Sequence, residues 1–509
     1  MEQHERNVAA IVGQVRKFYD HKKAFRIYHG STNSTRSLAF KKNEIVDISH
    51  LNHVLLVDRK SRRAYVEPNV PMDALVEATL KENLVPEVVM EFPGITVGGG
   101  FAGPSGESSS FKYGFFENTI ESIEVVLANG KVVNASATEN PDLFEGSAGS
   151  FGTLGITTLL VVKLIEAKKY VRLDYRPVSS ISQAVEDISL AINEPSSDFV
   201  DAIVLALDRA LVMVGKLTND TQADVPTQTF THARDPWFYI HAERLIDWNT
   251  PNLQSKTVTV PLTDYLFRYD RGAFWTGKYA FQYFVIPFNR ITSWAFDSLM
   301  RTRVMYHALH ASNMAGTYIV QDLGLPRSTA QEFIEHLDKT FGYYPLWLCP
   351  LRRGHRLSLS PYSNEAQDKE TGKTKQMLIN VGVWGPGSPD HDTFVMQNRA
   401  IEQKLRELGG LKWMYARAYY TEDEFWQIYN RQHYEALRVK YNATTLPSVY
   451  DKIKVDLTSR KQPQGIWSAW PLSQVPEFWD VWPISGVYGA LRAAVGYYTP
   501  YGKNYILAK

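Results

Sequence analysis

Gly94-Ile95-Thr96-Val97-Gly98-Gly99-Gly100-Phe101-Ala102-Gly103-Pro104-Ser105-Gly106-Glu107-Ser108-Ser109-Ser110 is the stretch on which the fold turns. Glycine lets a backbone take positive φ angles and come close to a ligand, and here the glycines are interleaved with hydroxyl side chains. Successive backbone N–H groups in such a segment can face an anion such as a pyrophosphate. Gly146-Ser147-Ala148-Gly149-Ser150-Phe151-Gly152-Thr153-Leu154-Gly155 repeats the composition. Neither cluster matches the dinucleotide fingerprint Gly-x-Gly-x-x-Gly after a strand, and neither matches a phosphate loop ending in Gly-Lys-Ser/Thr. On composition alone, a ligand cradle and plain glycine turns stand level.

Working outward, the periodicity changes several times. Val8–His21 spaces Val8, Ile11, Val12, Val15 and Phe18 as a helix does. Ala24–Tyr28, Ile45–Ile48, Val54–Asp58 and Ala64–Pro68 read as short strands, with the polar loop His29–Thr35 after the first. A helix is expected over Met72–Glu82. Ile120–Leu127 and Lys131–Asn134 flank Asn129-Gly130, a strong hairpin signal, and Gly146–Gly155 leads into a strand over Ile156–Ile165. Beyond Lys169 the strands lengthen. Ala202–Leu207 and Ala210–Lys216 form a hairpin through Asp208-Arg209, while Leu346–Pro350 and Met377–Val383 are apolar strands. Asn364–Gln376 reads as a charged surface loop and Thr421–Lys440 as a helix. The expected class is α+β: short strands and glycine turns first, then a mixed sheet with helices packed on it.

With 509 residues, 44% of them hydrophobic and 21% charged, the protein can bury a sizeable core in two domains. Its net charge of +1 supplies no basic face for nucleic acid. Cys349 is the only cysteine, which excludes an intramolecular disulfide and a cysteine-rich metal site and fits a reducing compartment. In Leu346-Trp347-Leu348-Cys349-Pro350 it reads as a small core residue rather than a nucleophile. No grouping of His, Asp and Glu has metal-ligand spacing, so no metal is expected. No run reaches the ~20 apolar residues of a membrane helix; Val481–Tyr498 comes nearest and is broken by Pro483 and Arg492.

Motif order says more than composition. Pro93–Gly99, Tyr113-Gly114, Ile123–Val133, Asn140–Phe144 and Gly152–Thr157, in that order, resemble the vanillyl-alcohol oxidase / p-cresol methylhydroxylase (PCMH-type) flavoprotein superfamily. Gly106–Gly114, Glu166–Val171, Pro345–Pro350, Glu424-Phe425-Trp426 and Val449–Ile453 look more narrowly like the delta-24-sterol reductase (diminuto/seladin) family. The resemblance implies a PCMH-type FAD-binding domain over residues 1–168 and a mixed-sheet substrate or cap domain with helices over 169–420. It further implies a helical segment, 421–460, returning to the FAD domain, and leaves 461–509 as an aromatic C-terminal tail. No counterpart of the N-terminal membrane anchor of the animal and plant enzymes is expected here. The expectation is therefore an intracellular protein, cytoplasmic or peripheral on the endoplasmic reticulum, with no transmembrane segment.

The same resemblance implies the cofactors and the site. FAD is expected to be held non-covalently, because Asn33 stands where many relatives carry a flavin-linked histidine, and NADPH is the expected electron donor. The pyrophosphate loop would be Gly30, Ser31, Thr32, Asn33 and Ser34. Thr96, Val97, Gly98, Gly99, Gly103, Gly106, Ser108, Ser109 and Tyr113 would join it in binding the cofactor, with Gly149, Gly152, Thr153, Gly155 and Ile156. Three residues are candidates for catalysis. Glu107 is an acid for the substrate or a brace for its own loop. Arg271 compensates flavin charge or pairs with Asp270. Tyr420, or its neighbours Tyr415 and Tyr419, is a phenol facing the ring or an ordinary sheet aromatic.

The implied reaction is NADPH-dependent reduction of a double bond in the side chain of a hydrophobic, sterol-like small molecule. A flavoprotein oxidase or dehydrogenase, a redox-neutral isomerase or cyclase, and a scaffold without turnover are the alternatives. The tail, with Trp467, Trp470, Trp479 and Trp482, reads first as packing over an apolar groove on this protein or on the partner of a homodimer. Peripheral membrane contact is the other reading.

Overall fold

The computed structural model describes residues 1–30, 41–250, 253–312, 314–352, 377–455 and 482–497. The first element is helix α1 (Glu2–Asp20), whose apolar stripe buries Val8, Ile11 and Val15. β1 (Arg26–Tyr28) and β2 (Ile45–Asp47) pair in parallel. An antiparallel sheet follows, built from β3 (Val54–Asp58), β4 (Arg63–Val66), β5 (Leu84–Pro86), β6 (Ile120–Val126), β7 (Val132–Ser136) and β8 (Ile156–Glu166). Its order is β3-β4-β8-β6-β7, and β5 pairs the far end of β8. The β6–β7 hairpin turns at Asn129-Gly130, with Gly130 at φ +77°, the left-handed conformation that the dipeptide favours. Helices α2 (Met72–Leu80), α3 (Val97–Ala102), α4 (Ser110–Tyr113) and α5 (Pro141–Ser147) are set between these strands.

The second sheet is antiparallel throughout, in the order β12-β9-β11-β10-β14-β15-β13-β16. Its strands are β9 (Tyr170–Val178), β10 (Phe199–Ala206), β11 (Arg209–Thr218), β12 (Lys256–Pro261), β13 (Tyr318–Pro326), β14 (Leu346–Leu351), β15 (Leu378–Pro386) and β16 (Leu411–Lys412). Among the helices of this region are α6 (Ile181–Ala191), α7 (Phe238–Leu245), α8 (Leu262–Leu266), α9 (Thr276–Tyr283), α10 (Arg290–Ala295), α11 (Thr302–Ala311), α12 (Arg327–Thr340) and α13 (His391–Glu407).

The period of two along a strand gives this sheet two different faces. Val200, Ala202 and Val204 of β10 point into one core with Ile188 of α6 and Ile334 of α12. Ile203 of β10, Val320 of β13 and Trp347 of β14 belong to the other core, which continues into the first sheet. Each fully buried Val, Leu or Ile contributes roughly 1.5–3 kcal/mol, so the outer helices are fixed strongly and the inner face is free to shape a cavity.

After β16 the backbone turns back. α14 (Glu422–Ile428) leads into α15 (Arg431–Lys440) and α16 (Val449–Ile453), and the last two lie against the second glycine cluster. The Tyr434 hydroxyl donates to Thr153 Oγ1 at 2.8 Å, and Lys452 Nζ donates to the Phe151 carbonyl at 2.7 Å. The single helix expected over Thr421–Lys440 is two. Tyr429 is extended, and the Asn430 side chain accepts the His433 N–H at 2.9 Å, which caps a new helix. A last helix, α17 (Ile484–Tyr497), packs along α11. The loop expected at Asn364–Gln376 and the tail tryptophans 467, 470 and 479 lie outside the described residues. The Trp482 indole donates to the Tyr283 carbonyl at 2.6 Å while the side chain stays half exposed. Among the described residues no helix is long and apolar enough to cross a membrane.

Candidate functional site

Between the glycine clusters and the inner face of the second sheet lies a cleft of about 290 Å³. One wall is backbone. Thr96 caps α3, its hydroxyl accepting the Gly99 N–H at 3.1 Å. A Cβ on Gly98 would stand 2.6 Å from the Pro68 Cβ and 2.9 Å from its carbonyl oxygen, so only glycine passes there. Gly152 holds φ +70°, again a glycine conformation. Arg26, His29 and Lys452 bring nitrogen bases to the same wall, and burial lowers the Arg26 pKa. A bare backbone wall with hydroxyls and cations suits a diphosphate. The opposite wall, with Trp347, Trp384 and Trp413, suits a flat ring system. The residues present therefore fit FAD.

That opposite wall also carries acids. Glu91, at the end of Val88-Val89-Met90, is buried, and its Oε1 meets no hydrogen-bond donor among the described residues. Burial pushes its carboxyl up to about 8, against the pull of the Arg268 guanidinium, with Asp201 and Asp322 adding to the rise. Glu91 thus carries a proton at neutral pH. Asp322, on β13, is also raised by burial, but donors pull it back. Asn380 Nδ2 donates to its Oδ1 at 2.9 Å, and the Tyr415 hydroxyl makes a short bond to its Oδ2. Behind them Asp201 Oδ2 accepts from Arg268 at 2.8 Å, from the Tyr269 hydroxyl at 3.0 Å and from the Trp347 indole at 3.0 Å. Arg268 stacks over the rings of Tyr265 and Tyr269, at 4.2 and 4.6 Å from their centroids. This network fixes the aromatic wall from behind.

Of the residues singled out in the sequence, the cleft gathers Thr96, Gly98, Gly99, Gly103, Gly106, Glu107, Gly152, Gly155 and Ile156. Gly30 follows His29, which lines it, whereas Ser31, Thr32, Asn33 and Ser34 lie outside the described residues. Val97 is buried in the core and Gly149 donates its N–H to the Phe101 carbonyl, so both stand behind the wall. Thr153 is turned toward Ser150 and Tyr434. Ser108, Ser109 and Tyr113 line a separate small pocket with Glu107 at its edge. The Glu107 backbone braces its loop through the Ser110 hydroxyl at 2.9 Å.

Two catalytic expectations need correction. Arg271 does not reach the cleft. It is 2% exposed, and Nε donates to Asp297 at 2.6 Å while its other nitrogens donate to the carbonyls of Phe230, Ala233 and Asp235. Asp270, its expected partner, pairs instead with Arg301 at 3.3 Å. Tyr420 is buried in the core, and of Tyr415, Tyr419 and Tyr420 it is Tyr415 that lines the cleft. Glu91 and Asp322 went unremarked in the sequence. The signal was present in both: a carboxylate closing the apolar run Val88-Val89-Met90 and another after Tyr318-Ile319-Val320-Gln321, acids next to apolar runs.

Comparison with known proteins agrees with this geometry. A family model described as "FAD binding domain" matches residues 4–136. The Delta(24)-sterol reductase of Homo sapiens is 29% identical over 463 residues, covering 88% of this chain and 86% of the human protein. The glycolate oxidase subunit GlcD of Bacillus subtilis is 31% identical, but over 33% of this chain and 38% of its own length. The Delta(24)-sterol reductase of Pisum sativum is 30% identical over 82% of this chain and 77% of the pea protein. The protein, with its FAD-binding domain and its acid-lined cleft, belongs to the Delta(24)-sterol reductase family.

Proposed function

We propose that this protein reduces a double bond in the side chain of a sterol or isoprenoid-like lipid, with NADPH as reductant and non-covalent FAD as the carrier. The observation that carries the reading is Glu91, a protonated acid in an aromatic wall opposite the glycine cradle. Bound FAD supplies hydride transfer. The protein's own residues do the rest. Gly98, Gly99 and Gly152 let the backbone approach the diphosphate, and Arg26 and Lys452 offset its charge. Trp384, Trp347 and Tyr306 keep water from the alkene.

Glu91 holds its proton at the carboxyl and gives it to one alkene carbon as the other carbon accepts hydride; solvent then restores the proton. An isolated alkene needs such a donor because no conjugation spreads the developing positive charge. A positioned acid is worth ~10²–10⁴-fold. The donors around Asp322 make it a fixed acceptor, and its charge helps to keep Glu91 protonated. In this reading residues 1–168 hold FAD, 169–420 shape the substrate side, and the helices of 421–460 lock the second glycine cluster.

A flavin oxidase or dehydrogenase is the second reading, favoured by the partial likeness to a protein named as an oxidase subunit. Incubation with NADPH and a sterol bearing a side-chain double bond, followed by mass spectrometry, separates the two. The saturated sterol is the expected product. Hydrogen peroxide and an oxidised product from a saturated or hydroxylated substrate, without NADPH, would overturn the reductase.

A further inference from the structure

A second cavity, of about 350 Å³, opens beside the cleft, walled by α9, α11, β13 and α17. Tyr306 and Trp384 line both cavities, so the two are contiguous across those side chains. The lining is almost wholly hydrocarbon, with Phe281, Met300, Leu309, Val320 and Leu491 among its residues. Two of its hydroxyls are turned away: Thr276 donates to the Ala273 carbonyl at 2.9 Å and Ser312 to the Ala308 carbonyl at 2.7 Å.

β13 links the two spaces. Tyr318 and Val320 line the chamber and Asp322 the cleft, all on one strand face with roughly 7 Å between successive members. α17 is fitted closely as the outer wall. A Cβ on Gly489 would stand 2.7 Å from the Ala308 carbonyl oxygen, and one on Gly486 would stand 2.3 Å from the Tyr283 ring. Even so, Leu491 is 61% and Val487 42% exposed. Among the described residues, the chamber therefore lies next to an exposed apolar stretch of α17, and contiguous apolar surface of this kind marks a binding site.

We propose that this chamber holds the ring body of the sterol substrate, with its side chain passing between Tyr306 and Trp384 to Glu91, and with α17 as a wall of the site. The proposal rests on the reductase reading and adds where the substrate lies. The alkene must sit in the cleft, where the acid is, and the glycine wall there is taken by FAD. The remaining rigid hydrocarbon needs an apolar space that begins at the reacting end. Among the cavities of the described residues, the chamber meets both conditions.

A sterol carrying a diazirine on its ring system, photolysed with the unmodified holoenzyme and mapped by peptide mass spectrometry, tests this directly. Adducts are expected within Thr276–Tyr283, Thr302–Ala311 or Ile484–Tyr497. Ala490→Trp and Ala308→Trp, which fill the chamber, should raise KM for the sterol about tenfold or more, and by less for a short branched alkene without rings; bound flavin reports that each variant has folded. A sterol that is reduced but labels only other segments would overturn the chamber and leave the reductase standing. Labelling in the chamber with no reduction would leave the chamber standing and overturn the reductase. Labelling suppressed by phospholipid and not by excess unlabelled sterol would assign the chamber to a lipid tail and overturn the proposal.

Discussion

Glu91 keeps its proton because burial outweighs the Arg268 charge, and two pH effects follow. Above pH about 8 the carboxyl ionises and can no longer donate, so turnover should fall through that range. Glu91→Gln should lower turnover by ~10²-fold or more, remove that inflection, and leave flavin reduction by NADPH unchanged. Stability carries the same sign. A carboxyl whose folded pKa is raised favours the folded state fully below its unfolded value, and that contribution is lost as pH rises toward about 8. Glu91→Gln should therefore gain on the parent protein in thermal midpoint as pH rises across that window. A Glu91→Gln enzyme with parental turnover and pH profile would remove Glu91 from the chemistry. The acid could be found in the sequence as a charge closing an apolar run, but its role could not, because the Arg268, Asp201 and Asp322 charges that set it arrive from β10, β13 and the segment after α8. Arg271 shows the reverse: its segment resembles the family's, yet its guanidinium is spent on Asp297 and three loop carbonyls.

At the scale of elements, α1 was legible from its apolar spacing, but what fastens it was not. His4 lies buried between Glu67 at 2.9 Å and Glu124 at 3.2 Å. Bonds to Glu124 and then Glu67 raise its pKa to about 9 against the cost of burial. The stabilisation is complete below the ordinary histidine value and is lost as pH rises through about 9. His4→Ala should cost about 3 kcal/mol in urea unfolding at neutral pH, the low end of the usual range because His53 still donates to Glu67 at 2.8 Å. The difference should shrink above pH 9; a difference that stays constant with pH would mean packing alone holds α1. The strands and the Asn129-Gly130 hairpin were readable because their signals are local. The split of Thr421–Lys440 was harder to see, since the apolar spacing runs on across it and only the Asn430 cap marks the restart.

For the whole molecule, the glycine clusters announced one wall of the cleft, and the order of motifs announced its cofactor. The opposite wall draws Trp347, Trp384, Trp413 and Tyr415 from β14, β15 and the segment after β16, pairings that no local pattern encodes. The chamber depends on α17 meeting α11 across roughly 180 residues of sequence, a long-range contact of the kind that topology alone reveals. The proposed electron path runs from NADPH through FAD to an alkene protonated in this cleft. Following the flavin absorbance of the purified holoenzyme without oxygen tests it most directly. NADPH should bleach the flavin, and a sterol with a side-chain double bond should restore it as the saturated sterol forms. Flavin that ignores NADPH, is bleached by a saturated or hydroxylated substrate and recovers only with oxygen would contradict it.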